Sequence, residues 1–181
     1  MAFFNGEIMS NTKSTIQTIL QMISDLRGES SVNTDSKRIR LVSNVEKDFA
    51  RRFLWRIFLL RDQTKVGDGT NDYEVGSATY PFRPKGLTEV FVNATGSSEM
   101  TAESCRYKIV DYAKFKNLYN RNPAERMVYE WYDVENDMWK MHINPAPDDT
   151  ETITYSYFWE PPTRTLTTDP VICPNPKIIA L

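Results

Sequence analysis

Phe53-Leu54-Trp55-Arg56-Ile57-Phe58-Leu59-Leu60-Arg61-Asp62-Gln63-Thr64-Lys65-Val66 is the stretch where the pattern of the chain changes. Before about Leu59 the apolar residues recur at the spacing of a helix face, and from Leu60 onward the chain reads as strands. That switch predicts an α+β fold with its helices at the front.

Moving back from the switch, a helix is expected from near Ser36 to about residue 58. Its apolar face reads Ile39, Val42, Val45, Phe49, Phe53 and Ile57, widened near the end by Trp55 and Phe58. The opposite face is basic and carries Arg40, Lys47, Arg51, Arg52 and Arg56. A polar linker, Glu29 to Asp35, precedes it. A first helix over about 13–27 places Ile16, Ile19, Leu20, Ile23 and Leu26 together, with Thr12 or Ser14 as its N-cap and Gly28 as its stop. Two such helices cannot bury both faces alone and need a third element or a partner chain.

Moving forward, Leu60–Val66, the turn-forming Gly67–Asn71 and Asp72–Val75 read as a β-hairpin. Pro81, Pro84 and Gly86 interrupt the next stretch. Leu87–Asn93 and Ser104–Val110 read as strands, and Asp111 caps a short helix through about Leu118. Met127–Val134 and Met138–Asn144 flank the turn Glu135-Asn136-Asp137, with Trp139, Met141 and Ile143 on one face. The clearest strand follows the loop Pro145–Asp149. There Ile153, Tyr155, Tyr157 and Trp159 alternate with Thr152, Thr154, Ser156 and Phe158, and Pro161-Pro162 ends the run.

Thr163–Pro176 is expected to be extended, with prolines at 170, 174 and 176, and Lys177–Leu181 looks like the first turn of a helix. The expected organisation is an N-terminal helical bundle over 1–58, an antiparallel β-sheet or β-sandwich over 59–162, and a Pro-rich tail over 163–181. That tail leads into a C-terminal helix that completes the bundle.

Composition narrows the function classes. The 181 residues are 40% hydrophobic, 12% aromatic and 25% charged, in the range of a globular domain. A net charge of −2 argues against a general nucleic-acid binder, and no apolar run is long enough for a membrane helix. No signal peptide is expected, and two cysteines, Cys105 and Cys173, are too few for a disulfide scaffold, so synthesis in a reducing cytoplasm is expected. Charge is uneven: residues 1–65 hold 11 basic and 7 acidic groups, whereas residues 66–181 hold 11 and 17. Oppositely charged ends suit contact with different partners, or with each other in a ring.

Site chemistry is sparse. The single histidine, His142, is expected on a solvent-facing strand side, without the nucleophile elbow that hydrolytic chemistry needs. There is no Cys/His cluster for zinc, and seven glycines form no phosphate-binding loop. Asp133, Glu135 and Asp137 alternate as calcium ligands do but read as a hairpin turn. Asn93-Ala94-Thr95 matches the glycosylation pattern. No enzyme, cofactor or metal is expected.

The order of these parts resembles the head-to-tail adaptor (head completion, or connector) proteins of tailed bacteriophages. Ala50-Arg51-Arg52-Phe53-Leu54-Trp55 matches the Arg-Arg and Trp cluster of that family's long helix. Gly67-Asp68-Gly69 with Asp72–Val75 matches its turn and return strand, and Leu87-Thr88-Glu89-Val90 its next strand. Asp111-Tyr112-Ala113-Lys114-Phe115 matches its short helix, and Ile143-Asn144-Pro145-Ala146-Pro147 its Pro-x-Pro loop. Tyr155–Pro162 matches the last strand with paired prolines, and Leu166-Thr167-Thr168-Asp169-Pro170 the extended stretch after it. Gly76-Ser77-Ala78 stands in place of the usual Leu-Pro, and the loops through Pro84 and over 94–104 are longer than the family's pattern.

The resemblance implies a non-catalytic virion protein at the head-tail junction. Its partners would be the portal protein, neighbouring copies in a twelve-fold ring, a tail or neck protein, and DNA passing through the lumen without sequence-specific contact. The basic residues Arg40, Lys47, Arg51, Arg52 and Arg56 are the candidate interface. The alternative is another β-rich tail or baseplate protein, or a carbohydrate-binding module.

Overall fold

The computed structural model describes residues 14–29, 31–32, 34–52, 56–96 and 105–172. It is an α+β chain whose contacts divide it into two compact units, 1–49 with 163–181 and 50–162.

In the first unit a short strand β1 (Ser14–Thr15) leads into helix α1 (Ile16–Arg27). Thr15, rather than Thr12 or Ser14, is the N-cap: its side chain accepts from the Thr18 amide at 3.3 Å. Gly28 ends the helix at φ 66°, a conformation that favours glycine. Helix α2 (Ser36–Arg52) begins where expected, with the Asp35 carboxylate accepting the Arg38 amide at 2.8 Å.

Ile16, Ile19, Leu20, Ile39 and Val42 form the core between these helices, and Ile23, Val32 and Val45 pack against it. Leu26, in the last turn of α1, was expected in this core but is 69% exposed.

The sixth core residue is Val171, from strand β9 (Pro170–Val171), which pairs antiparallel with β1. The described part of the tail, 163–172, therefore packs within its own chain. The Ile16 amide bonds Asp169 O at 3.1 Å and the Gln17 amide bonds Thr167 O at 2.9 Å. The helix expected from Lys177 lies outside the described residues.

In the second unit the long helix stops earlier than its spacing predicts. The regular helix is described to Arg52, and a separate 3-10 turn spans Arg56–Phe58. Arg83 donates to Ala50 O at 2.9 Å and to Arg51 O at 2.5 Å, in the last described turn of the helix. Ile57, expected to be buried, is 46% exposed, while Phe58 is fully buried with its ring edge-on to Trp159. Phe53 and Trp55 lie outside the described residues.

Two sheets follow. The first has the order β2 (Leu59–Val66), β8 (Glu151–Trp159), β4 (Phe82–Ala94), all antiparallel. The second has the order β3 (Asp72–Glu74), β7 (Met138–Asn144), β6 (Met127–Asp133), β5 (Lys108–Ile109), antiparallel except for the parallel β5–β6 pair. The expected hairpin of Leu60–Val66 with Asp72–Val75 does not form. The two strands belong to different sheets, and Gly67–Asn71 is a crossing between them. Gly67 is needed there because a Cβ would run into the Asp148 carbonyl.

Only Lys108–Ile109 of the strand expected over 104–110 is regular; residue 104 lies outside the described residues, and Arg106 forms a single bridge to Phe91. Strand β4 begins earlier than expected and carries Pro84 through a register shift between Phe82 and Leu87. The Glu130 carboxylate stands in for the missing ladder by accepting the Lys85 amide at 2.7 Å and the Leu87 amide at 2.9 Å.

Strand β8 is buried on both faces from Thr152 to Trp159, so its polar alternation does not mark a wet side. Helix α3 (Tyr112–Arg121) is capped by Asp111 as expected and runs three residues past Leu118. It places Phe115 in a cluster with Val110 and Met127.

Candidate functional site

The five basic candidates do not act alike. In the first unit Arg40 is exposed, and Lys47 donates to Thr163 Oγ1 at 2.6 Å. In the second unit Arg51 grips Glu160 through two bonds, Nε at 2.9 Å and the terminal nitrogen at 2.8 Å. Bidentate geometry of this kind fixes both planes. Arg52 and Arg56 are exposed and form no ion pair among the described residues. Of the five, Arg40, Arg52 and Arg56 are exposed without an ion pair among the described residues, whereas Lys47 and Arg51, the latter still half-exposed, are committed to contacts within their own chain.

Sequence reasoning missed Glu46. It is fully buried on α2 and accepts the Ile172 amide at 2.7 Å and Arg164 Nε at 3.4 Å. Ser43, one turn earlier, accepts the Arg164 amide at 3.0 Å. Ser43, Glu46 and Lys47 therefore clamp residues 163–172 from one side of the helix, as positions three and four apart do. Burial pushes the Glu46 carboxyl above its ordinary value, opposed by the Ile172 amide and the Arg164 charge. The signal was present: Glu46 falls in the stripe that Ile39, Val42 and Phe49 mark, where a charge requires a partner.

His142 departs from its expected wet position. It does face away from Met141 and Ile143, but α3 covers that side. Its ring lies 5.3 Å from Phe115 and 5.0 Å from Tyr129, and Nδ1 is 2.8 Å from Asp72 Oδ1. Asp72 also accepts Trp131 Nε1 at 3.1 Å. This His-Asp contact faces aromatic rings.

Asp133 holds its turn together. It accepts the Glu135 and Asn136 amides at 3.1 and 3.3 Å, and Lys140 Nζ at 2.6 Å. Lys140 and the Asn136 side chain hold its carboxyl down to about 2. No group of three or more metal-binding side chains comes together among the described residues. Asn93 lies inside β4 at 8% exposure, which closes it to glycosylation in the folded chain. Cys105 is half-buried, and Cys173 lies outside the described residues.

Cavities open on the second unit among the described residues. One, of 410 Å³, is lined by Thr88, Arg106, Tyr107, Lys108 and Ile109. Another, of 440 Å³, lies between the loop after β3 and the start of β7. Among the described residues no helix is long and apolar enough to cross a membrane. The five basic candidates are thus partly committed to contacts within the chain. No protein-family model matches the chain, and no curated protein matches it.

Proposed function

We propose that this chain is a structural virion protein of a tailed phage, a head-to-tail adaptor that binds below the portal ring, extends the DNA channel and offers a surface to the tail. One observation supports the reading: the Arg-Arg segment and the last strand with its paired prolines, which match the family's motifs far apart in sequence, hold each other in the fold. Arg51 of the Arg-Arg pair grips Glu160 beside the paired prolines. Asp169 of the extended stretch folds its own turn by accepting the Thr165 and Leu166 amides, each at 3.0 Å, and its carbonyl receives the Ile16 amide. Tyr112 and Phe115 of the short helix pack on Tyr129 at 5.3 and 4.7 Å.

In this reading Arg40, Arg52 and Arg56 meet acidic groups of the portal or of a neighbouring copy, and assembly weakens as salt rises. The direct experiment mixes the purified chain with portal rings and images the product. A twelve-fold collar below the portal is the expected result. The double variant Arg52→Glu, Arg56→Glu should stay folded and leave heads unjoined to tails. Failure of the unaltered chain to bind portal rings at low salt would remove the reading. Normal numbers of infectious particles from the double variant would remove only the basic interface.

A further inference from the structure

The 440 Å³ cavity is built from residues outside the proposed basic interface. The loop after β3 forms one wall and is tied down at four points. The Val75 amide bonds Trp139 O at 2.9 Å, the Ser77 amide bonds Tyr80 O at 3.1 Å, and the Glu160 amide bonds Pro81 O at 2.9 Å. The Tyr157 hydroxyl donates to Tyr80 O at 3.1 Å. Gly76 makes the sharp bend at φ 93°, where a Cβ would meet the Phe82 amide nitrogen at 2.7 Å. The cavity is therefore formed before any ligand arrives, and its volume lies in the range of small-ligand sites.

Its walls are aromatic and apolar: Trp139, Phe82, Pro81 and Met138, with the Trp139 and Phe82 rings 5.6 Å apart. Two exposed acidic residues, Glu74 and Asp137, complete the lining. Neither forms an ion pair among the described residues; Asp137 accepts only the Tyr132 hydroxyl. Lys140, two positions from Met138 on β7, is held by Asp133 at 2.6 Å and lies 5.5 Å over the Trp131 ring. The lining thus combines two carboxylates that form no ion pair among the described residues, Glu74 lying opposite Lys140 in the β3–β7 register, with indole and phenyl surface.

We propose that this cavity is a docking site for an arginine side chain presented by a partner polypeptide. A guanidinium suits both features at once. Its flat face stacks on an indole, and its edge donors reach carboxylates in a planar fork, while its methylene stem covers apolar wall. A metal ion would find too few oxygens here, and an anion would be repelled.

The test is a titration of the ¹⁵N-labelled full chain with Nα-acetyl-arginine methylamide, followed by amide and indole shifts. Saturable shifts are expected at Gly76, Ser77 and the Trp139 indole, with affinity in the region of about 1 mM for a single side chain. The uncharged isostere Nα-acetyl-citrulline methylamide is expected to leave these signals in place. Glu74→Gln combined with Asp137→Asn should weaken binding by about fivefold or more. Both positions are exposed and Asn tolerates the positive φ of Asp137, so the double variant keeps its fold. Equal binding of the citrulline compound, unchanged affinity in the double variant, or shifts that never saturate would each overturn the proposal.

Discussion

His142 has a side chain only 24% exposed, with rings on one side and the Asp72 carboxylate on the other. Replacing it with Ala removes a 2.8 Å hydrogen bond and two ring contacts. A loss of about 1–2 kcal/mol is expected in denaturant unfolding. A change within about 0.5 kcal/mol would mean that the ring is solvated, as its strand parity alone suggests. Parity places His142 opposite Met141 and Ile143 correctly, but it carries no information about α3, which packs over that side. Asp133 makes a second prediction. Its folded value of about 2 lies below the ordinary 3.8, so its stabilisation is present above 3.8 and is lost as pH falls towards 2. Asp133→Asn should therefore be less stable than the unaltered chain near neutral pH and lose less stability over that acid window. Urea midpoints measured across the window check it, and parallel losses in the two chains would contradict it.

At the level of elements, the clamp of α2 on residues 163–172 can be tested through Glu46. Removing one partner of a buried pair leaves the other stranded, so Glu46→Ala should cost about 3 kcal/mol. Glu46→Gln keeps an oxygen for the Ile172 amide and should cost about 1 kcal/mol. Trypsin cleavage after Arg164 should accelerate in the order unaltered chain, Gln variant, Ala variant; equal rates would mean that the clamp does not hold the segment. The pH sign is opposite to that of Asp133. Glu46 is raised above 4.5, so its contribution is complete below that value and declines as pH rises through the folded one. Elements with local signals were legible in the sequence. The Gly28 stop, the Asp111 cap, the strand pair around Glu135-Asn136-Asp137 and strand β8 each depend on neighbours a few residues away. What the sequence hid is pairing at a distance: Lys65 lies opposite Ile153, and nothing near Lys65 specifies it. The basic candidates were legible as a face, but their division into inward and outward cations depends on Glu160 and Thr163, which only the fold brings close.

For the whole molecule, the two-sided burial of β8 predicts where protection from hydrogen exchange concentrates. Amides of Ile153 to Phe158 should exchange slowest in the second unit, near the limit set by its complete unfolding. Faster exchange there than in α3 would mean that the first sheet opens on its own. The outer edge of that sheet is β2, which carries Arg61, Asp62 and Lys65 and shifts register between Leu60 and Gln63. Charge and a bulge at an edge oppose pairing with another sheet. The pairing of Ser14 with Val171 has a consequence on the ribosome. At about 5–20 residues per second, on the order of ten seconds of translation separate the two strands. The first unit is begun early and completed late. Until Val171 emerges from the exit tunnel, Ile16, Ile19 and Val42 have only the helix-to-helix part of their core on the nascent chain. Those three side chains are where a chaperone would hold this protein during its own synthesis.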